Sequence, residues 1–461
     1  MSSTQFEPLR GRIRGAVIEP ADAEYESARK VYNGMIDKRP AAIARCADAA
    51  DVATAVRFAI EYDIAFSVRG GGHNVAGTAL VEDGLVVDLS AMRRVRIDPE
   101  RTSVHVQGGA TWADVDAVTT PLGLAVPGGV VSETGVAGLA LSGGVSHQRR
   151  RDGMTVDNLV SAEVVLADGR RVRASAHEHA DLFWALRGGG GNFGVVTAFE
   201  LRMHPLGPEV FALNVAYPIE DAERVLAGWR DAVADAPDEL STAGLIWSLP
   251  DVDELPEPLR GAPYVGVAGM WAGDPAEGER VTRALRELAE PLLDMSGVLP
   301  YADLQTSLDP FFPAGVRRYW KALYLDGFSV DAIATTANSS DRRPSNDTLV
   351  IVRHCGGAMS RVGAEQTAFG DRSSEWMLSI DSTWHSPADD ATNVAYTRAF
   401  WDAAAPFSNG QSYFNFPGLF EDGEAAVRAS YGANHERLTR VKAAYDPDNR
   451  FRHTQNIRPA A

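Results

Sequence analysis

The chain has 461 residues, of which 45% are hydrophobic, and it carries a formal net charge of −18 at pH 7. This length predicts two domains and a sizeable core. The negative charge argues against nucleic-acid binding and against an anionic membrane surface, since both need clustered Lys and Arg. A small neutral or cationic substrate fits the charge better.

The two cysteines, Cys46 and Cys355, lie far apart and in no metal-type or redox-type pair. We therefore expect a reducing compartment without disulfides. Residues 1–14 contain no apolar signal region, and no apolar run approaches the length of a membrane span. The expectation is a soluble, cytoplasmic protein, and the use of Ala, Gly and Arg suggests a bacterial source. Whether it is a monomer or a homodimer stays open.

A glycine-rich turn, Arg69-Gly70-Gly71-Gly72-His73-Asn74, is the main candidate binding element in the first part of the chain. Helical spacing from Asp51 and a buried strand over residues 64–68 precede it. Successive glycines leave backbone N–H groups free to approach a diphosphate, and Arg69 adds a forked cation. The alternative is an ordinary tight turn that carries a surface histidine.

A second small-residue segment spans residues 127–138, after strands over 85–89 and 103–107 and a helix with Thr111 as its N-cap. It indicates close approach of the backbone to a flat or charged group. The alternative is tight packing.

A third glycine run, at 188–194, contains a match to GxGxxG at Gly189, Gly191 and Gly194. We reject a Rossmann site because that motif must follow a strand and open a helix. Here the pattern predicts a helix before the run and a strand, 195–201, after it. Upstream, residues 167–170 predict a hairpin turn after the strand 159–166.

After His204-Pro205 the pattern changes to strands that alternate with amphipathic helices, as in 222–234 and 278–288. This predicts an α+β domain with an antiparallel sheet and helices on one face. The predicted strands are 210–217, 264–271, 318–324, 348–353 and 376–380. A loop is expected at 339–346, and a later helix around Leu438 should end at Asp446-Pro447.

Taken together, these segments resemble the flavin oxidases of the berberine bridge enzyme family, within the vanillyl-alcohol oxidase superfamily. The resemblance covers nearly the whole chain. Its motifs are the turn at 69–73, Gly135-Val136-Ala137-Gly138, Asp157-Asn158, the run 182–196, Tyr413-x-Asn415 and Tyr445-Asp446-Pro447-x-Asn449-Arg450-Phe451.

The resemblance implies a PCMH-type FAD-binding domain of two α+β subdomains, unrelated to Rossmann domains, with an antiparallel-sheet substrate domain. The expected divisions are 1–207 for FAD, 208–410 for substrate and 411–461 for a C-terminal segment that returns to the FAD domain.

The resemblance also implies which residues bind FAD. They are Arg69, Gly70, Gly71, Gly72, His73, Asn74, Gly77, Gly129, Gly135, Gly138, Asn158, Asn192, Gly194, Val196, Tyr413 and Asn415. His73 would bond to the 8α-methyl of the flavin. Some members add a cysteine link at the position of Val131, so a flavin linked only through His73 is expected. Gly129 aligns with a position where glycine favours reaction with dioxygen.

Two residues are predicted to be catalytic. Tyr413 is the first candidate for proton acceptor, on a strand that places it on one face with Asn415; the alternative is a core tyrosine. Lys321 is expected to point toward the flavin and offset charge on the reduced ring; a solvated lysine is the alternative. Trp384 and Tyr324 are either pocket walls or core. No metal site is predicted, because the histidines are scattered.

The predicted function is that of an FAD oxidase which takes hydride from a C–O or C–N carbon of an alcohol, sugar, amine or natural-product intermediate and forms hydrogen peroxide. The alternative is a dehydrogenase or reductase of the same fold with another electron partner. A non-enzymatic binding module is a distant third.

Overall fold

The computed structural model describes residues 5–419, 421 and 423–460. Within them the chain builds two small sheets, then one large sheet, and ends in two helices that pack back on the earlier part. The mixed helix and sheet content agrees with the predicted α+β class.

The first unit is a four-stranded sheet in the order β1-β2-β4-β3, in which β2 and β3 run parallel to β4. Its central strands β2 and β4 are buried on both faces, which explains their nearly continuous apolar sequences. Asp48 caps α3 by accepting hydrogen bonds from the N–H groups of Ala50 and Asp51. The elements are α1 Glu7–Arg10, β1 Ala16–Ile18, α2 Tyr25–Ala28, β2 Ala42–Arg45, α3 Ala49–Glu61, β3 Phe66–Arg69 and β4 Leu85–Asp88.

The second unit is a five-stranded antiparallel sheet in the order β5-β6-β10-β8-β9, with a separate pair formed by β7 and β11. The predicted capping of the following helix is confirmed, since Thr111 and Asp114 form a capping box. The elements are β5 Val95–Ile97, β6 Ser103–Gln107, α4 Trp112–Thr119, β7 Leu124–Ala125, α5 Val136–Leu141, α6 Arg149–Asp152, β8 Leu159–Val165, β9 Arg171–Ser175, α7 Ala180–Leu186, β10 Val195–Arg202 and β11 His204–Pro205.

The third unit is an eight-stranded antiparallel sheet in the order β15-β12-β14-β13-β18-β19-β17, with β16 paired to β12. Helices α8, α11 and α13 pack on one face of this sheet. The elements are β12 Glu209–Pro218, α8 Ala222–Ala232, β13 Leu240–Ser248, β14 Pro263–Trp271, α9 Pro275–Arg286, β15 Leu293–Asp294, β16 Gly297–Pro300, α10 Tyr301–Thr306, β17 Arg317–Leu325, α11 Val330–Ser340, β18 Leu349–His354, α12 Ala358–Arg361, β19 Trp376–Trp384 and α13 Asp390–Ala404.

The C-terminal segment contains α14 Gly423–Tyr431 and α15 Asn434–Tyr445, the latter ending before Asp446-Pro447 as predicted. Leu438, Val441 and Ile457 join the core of the second unit, and Phe451 joins that of the first. The C-terminus is therefore part of the packing that supports the first two sheets.

Three local predictions were wrong or incomplete. The sequence analysis missed β13, the central strand beside β14 and β18. Residues 339 and 340, expected in a loop, close helix α11. Tyr413 lies in an irregular segment that leads into a turn at 414–415, and no strand forms there.

No helix in the described part of the chain has the length and apolar content that crossing a membrane requires. The same residues bring together no group of three or more His, Cys, Asp or Glu side chains suited to a metal ion.

Asn33 joins the first unit to the third. Its buried side-chain amide donates to the carbonyl oxygens of Val75, at 2.6 Å, and Arg318, at 2.8 Å, and its Oδ1 accepts from the Arg318 N–H at 2.9 Å. Gly34 and Val316 add a backbone hydrogen bond of 2.9 Å. The entry to β17 is thus fixed to the segment that precedes the glycine-rich turn.

We expect Asn33→Ala to lower the melting temperature by about 5 °C, because it leaves buried carbonyl and N–H groups of both units without partners. Differential scanning calorimetry checks this, with the exposed Asn346→Ala as the control that should not shift. An unchanged melting temperature for Asn33→Ala would show that the two units do not depend on this junction.

Candidate functional site

A cavity of about 700 Å³ lies where the three sheets meet. The glycine-rich turn after β3, the loop before α5 and the start of β10 line one part of it. Strands β13, β17, β18 and β19, together with residues 413–416, line the other. The cavity thus has one wall of backbone and small residues and one of large side chains.

The glycine-rich turn reaches the cavity because it touches the second unit without side chains between them. A Cβ on Gly71 would lie 2.5 Å from Cα of Gly135, and a Cβ on Gly135 would lie 2.5 Å from N of Gly71. Glycine is required at both positions, because a side chain on either residue would clash with the facing backbone. Residues Gly70 to Asn74 consequently line the cavity together with Gly135.

His73 is held in a stack. Its ring lies on that of Tyr32 with centroids 3.6 Å apart and planes at 17°, and the Arg318 guanidinium lies 4.0 Å from the centre of the Tyr32 ring. Burial, and then the charge of Arg318, lowers the pKa of His73 to about 3. The imidazole is therefore neutral at pH 7, and its Nε2 has no hydrogen-bond partner within the described residues.

The space facing this turn fits a large, flat, phosphorylated group. A Cβ added at Gly138 or Gly191 would meet no atom within 4 Å, and both glycines line the cavity. Small residues here leave backbone open toward the cavity, where N–H groups bind phosphate oxygens. The residues present therefore fit FAD, as the resemblance implies.

Tyr413 and Asn415 both line the cavity, although no strand carries them. The Tyr413 hydroxyl accepts from the Gly144 N–H at 2.9 Å and from the Asn415 side-chain amide at 2.8 Å. Burial raises the pKa of Tyr413 above its usual value, despite these two donors. The phenol therefore keeps its proton at pH 7.

Three charged residues that line the cavity were not predicted from the sequence: Arg149, Arg353 and Asp381. Arg353 and Asp381 come from the neighbouring strands β18 and β19 and both line the cavity. Burial raises the pKa of Asp381 to about 6, while Arg353 and a hydrogen bond from Ser379 oppose the rise. The signal in the sequence is a single Asp within the otherwise uncharged strand Trp376–Trp384.

Five predicted site residues are not among those that line the cavity: Arg69, Gly77, Asn158, Asn192 and Lys321. Arg69 turns away, donates to the Ala28 carbonyl and lies 4.0 Å from the Asp88 carboxylate. Gly77 has φ 65° and packs against Ile36, where a Cβ would lie 2.7 Å from its side chain. Both residues shape the turn.

The two asparagines hold the backbone in place. Asn158 donates to the carbonyls of Asp152 and Met154, each at 2.9 Å, and so closes the loop before β8. Asn192 donates to Gly189 at 2.8 Å and Gln455 at 3.1 Å, and accepts from the Ile457 N–H. It therefore attaches the C-terminus to the third glycine run.

Lys321 lies on the helix-covered side of the large sheet. Its ammonium group is 4.4 Å from the centre of the Trp401 ring and 3.8 Å from Glu421, and the residue is only 4% exposed. Its sheet neighbours Trp320 and Ala322 pack on the opposite face. Lys321 is thus neither near the cavity nor solvated.

Gly129 and Val131 both line the cavity. At Gly129 a Cβ would lie 2.9 Å from the Trp112 ring and 3.0 Å from Leu139, so a side chain there would meet packed protein. Packing against Trp112 is therefore sufficient to explain a glycine at position 129. The residue gives no structural support for a reaction with dioxygen.

Comparisons with known proteins cover the same elements. A family model described as an FAD binding domain matches residues 40–175, and one described as berberine and berberine like matches residues 412–458. (R)-6-Hydroxynicotine oxidase of Paenarthrobacter nicotinovorans is 30% identical over 470 aligned residues, which cover 100% of this chain and 99% of that protein.

Solved structures share the fold from end to end. That of 6-hydroxy-D-nicotine oxidase from Arthrobacter nicotinovorans gives a TM-score of 0.87 at 28% identity and covers 100% of both chains. Glucooligosaccharide oxidase from Acremonium strictum, which carries a 6-S-cysteinyl, 8α-N1-histidyl FAD, gives 0.85 at 24% identity over 97% of this chain and 98% of that one.

Behind the cavity, His354 makes stability depend on pH. It is 2% exposed and stacks on Trp376 with centroids 5.0 Å apart, and burial followed by Arg150 and Arg149 lowers its pKa to about 3. In the unfolded chain the His354 imidazole binds a proton near pH 6.5, whereas in the folded chain it does so only near pH 3. This contribution is therefore present above pH 6.5 and is lost as the pH falls toward 3.

We expect His354→Phe, which retains the ring on Trp376, to reduce this acid sensitivity. Between pH 6 and pH 4 the free energy of unfolding should fall less steeply in the variant, by about 1.4 kcal/mol per pH unit. Urea denaturation across this range measures the slope, with the exposed His385→Phe as control. Equal slopes in wild type and His354→Phe would contradict the assignment.

Proposed function

The chain belongs to the FAD-linked oxidoreductases of the berberine bridge enzyme family, and on this premise we propose what its site does. It is an FAD-dependent oxidase that acts on a small organic substrate. In the proposal it removes hydride from a carbon that bears oxygen or nitrogen, and dioxygen is reduced to hydrogen peroxide. The bound flavin supplies the hydride acceptor.

The observation that carries the proposal is the neutral, stacked His73 beside the glycine cradle. Gly70, Gly71, Gly72 and Asn74 would hold the diphosphate together with Gly135 and Gly138 across the contact, and Gly194 and Val196 would border the rest of the cofactor. Because the His73 ring is unprotonated, it has a lone pair available for a bond to the 8α carbon.

His73 is proposed as the one covalent link. The chain has Val131 at the position where a second link uses cysteine, and neither Cys46 nor Cys355 is among the described residues that line the cavity. Both thiols are buried in core clusters. A doubly linked flavin therefore has no thiol in reach.

Two residues handle the proton that leaves the substrate hydroxyl or amine. Tyr413 receives two hydrogen bonds at its oxygen, so its own proton is free to contact the substrate. Asp381, with a pKa near 6, is ionised at pH 7 and accepts the proton. Tyr413 orients the reacting group and Asp381 acts as the base.

We expect His73→Ala to lose its flavin on acid precipitation, whereas the wild-type precipitate stays yellow. The absorbance of pellet and supernatant at the flavin band measures the bound fraction. His453→Ala, at another cavity histidine, is the matched control and should keep its flavin. Wild-type flavin that washes free in acid would exclude the covalent link even if FAD still binds.

We expect Asp381→Asn to slow flavin reduction about 100-fold at pH 7, since it removes the proton acceptor. In the wild type the rate should fall as the pH drops below about 6, because the carboxylate is then protonated. Anaerobic stopped-flow from pH 5 to pH 8 measures both effects. Asp389→Asn, on an exposed carboxylate, is the control. A wild-type rate that is flat across pH 6 would exclude Asp381 as the base.

The choice of electron acceptor is tested under air. The holoenzyme should release hydrogen peroxide in proportion to substrate consumed, which a peroxidase-coupled assay measures. Rapid bleaching of the flavin by NADPH in the absence of substrate would instead indicate a reductase.

A further inference from the structure

We propose that the substrate is an apolar, ring-bearing alcohol that carries no positive charge, held between an aromatic wall and the charged side chains of Arg353 and Asp381. The inference rests on the proposed oxidase function and narrows it. It excludes two substrate classes that the relatives' names suggest, basic amines and oligosaccharides. Three features of the cavity carry it: the wall, the polar groups on that wall and the balance of charge.

The wall is a continuous series of aromatic rings that line the cavity from β13 to Tyr413. Trp247 contacts Phe312 at 6.1 Å between ring centres, Phe312 contacts Trp320 at 6.0 Å, Trp320 contacts Phe416 at 5.5 Å and Phe416 contacts Tyr413 at 5.3 Å. All five line the cavity. The first contact is tilted, at 34° between the ring planes, and the other three are edge-to-face. Such contacts hold the rings in place and present flat apolar surface to a ligand.

Aliphatic side chains complete this surface. Leu245 from β13, and Leu349 and Ile351 from β18, line the cavity beside the aromatic rings. They follow the alternation of the strands, whose other residues face the helices. A ligand in this half of the cavity is therefore surrounded mainly by carbon.

Two hydroxyl side chains of β13 already accept hydrogen bonds from protein groups. Ser241 Oγ accepts from the Arg150 N–H at 3.3 Å, and Thr242 Oγ1 accepts from the Trp229 indole at 3.0 Å on the helix-covered side of the sheet. A sugar would bring several hydroxyls into this space and leave most of them without partners, which costs affinity. An apolar ring has no hydroxyl groups to leave unpaired, so its binding does not carry this cost.

The charged side chains that line the cavity sum to a positive charge. Of the described residues that line the cavity, Arg149 and Arg353 are cationic against the single carboxylate of Asp381. Arg149 donates to the backbone carbonyls of Ser146, Thr242 and His354, and no carboxylate of the described residues forms an ion pair with it. Burial lowers the pKa of Arg149 to about 10, and the nearby charges of Arg353 and Arg150 also lower it. An ammonium group would be repelled here.

The reaction balances for an alcohol. The C–H electron pair leaves the carbinol carbon as hydride to the flavin, the O–H proton goes to Asp381, and the C–O bond becomes a carbonyl. Dioxygen then takes two electrons and two protons and leaves as hydrogen peroxide. A neutral alcohol thus adds no charge to the site before the proton moves.

The experiment tests naphthyl probes of similar size, and cellobiose, with the oxidised holoenzyme at pH 7. Naphthamide is a neutral ligand that cannot be oxidised. Its affinity, measured from the change in the flavin spectrum, should be at least about tenfold higher than that of naphthylmethyl-trimethylammonium. In anaerobic stopped-flow, naphthylmethanol should bleach the flavin faster than naphthylmethylamine, and cellobiose should not bleach it.

Two variants test the two features separately. Phe312→Leu should weaken naphthamide binding about fivefold by removing one ring of the wall. The matched control Phe328→Leu, which packs against Trp229 and Trp376 on the helix side of the sheet, should not. Arg353→Met should raise the affinity for the trimethylammonium probe relative to naphthamide by about tenfold.

The outcomes separate the inference from the oxidase proposal. If naphthamide binds and responds to Phe312→Leu while no alcohol reduces the flavin, the ligand class stands and the oxidase proposal fails. Tighter binding of the cationic probe, or bleaching by cellobiose without binding of naphthamide, overturns the inference while the oxidase proposal stands.

Discussion

The contact between Gly71 and Gly135 determines where the cavity lies. The two backbones approach so closely that a Cβ on either residue would lie 2.5 Å from the other. This contact brings the turn that follows a parallel strand against the loop that precedes α5, and neither sheet alone would enclose a cofactor. His73, two residues beyond Gly71, is thereby directed into the cavity, and the remaining elements pack around that position.

The third unit takes part in holding His73. Arg318, near the start of β17, lies over the Tyr32 ring that stacks on His73, while Asn33 bonds to the backbone of Arg318. The strand that begins at this junction also carries Trp320 to the aromatic wall. The same strand therefore supports the histidine proposed to hold the cofactor and one side of the proposed substrate site, which ties the two parts of the cavity together geometrically.

The sequence predicted the backbone elements better than it predicted side-chain directions. Glycine runs and apolar periodicity located the turn at 69–74 and most strands, because both signals are local. Arg69 and Lys321 were misplaced because their direction depends on the exact register of a strand in the folded sheet. Arg353 and Asp381 were missed since only the pairing of β18 with β19 places both side chains on the face of the sheet that lines the cavity. Strand β13 was missed because its small and hydroxyl residues weaken the apolar pattern.

The two residues that we propose to handle the substrate proton differ in a way that follows from burial alone. Burial penalises the charged form of each, which moves a phenol away from neutral pH and moves a carboxyl group toward it. Tyr413 thus keeps its proton for donation, and hydrogen bonds from Gly144 and Asn415 hold its hydroxyl in place. Asp381, with its pKa raised to about 6, would be a proton acceptor that works close to neutral pH. Arg353 keeps that base ionised, since its charge opposes the rise in the pKa of Asp381. The positive charge that disfavours an ammonium substrate is therefore also what preserves the carboxylate that an alcohol needs.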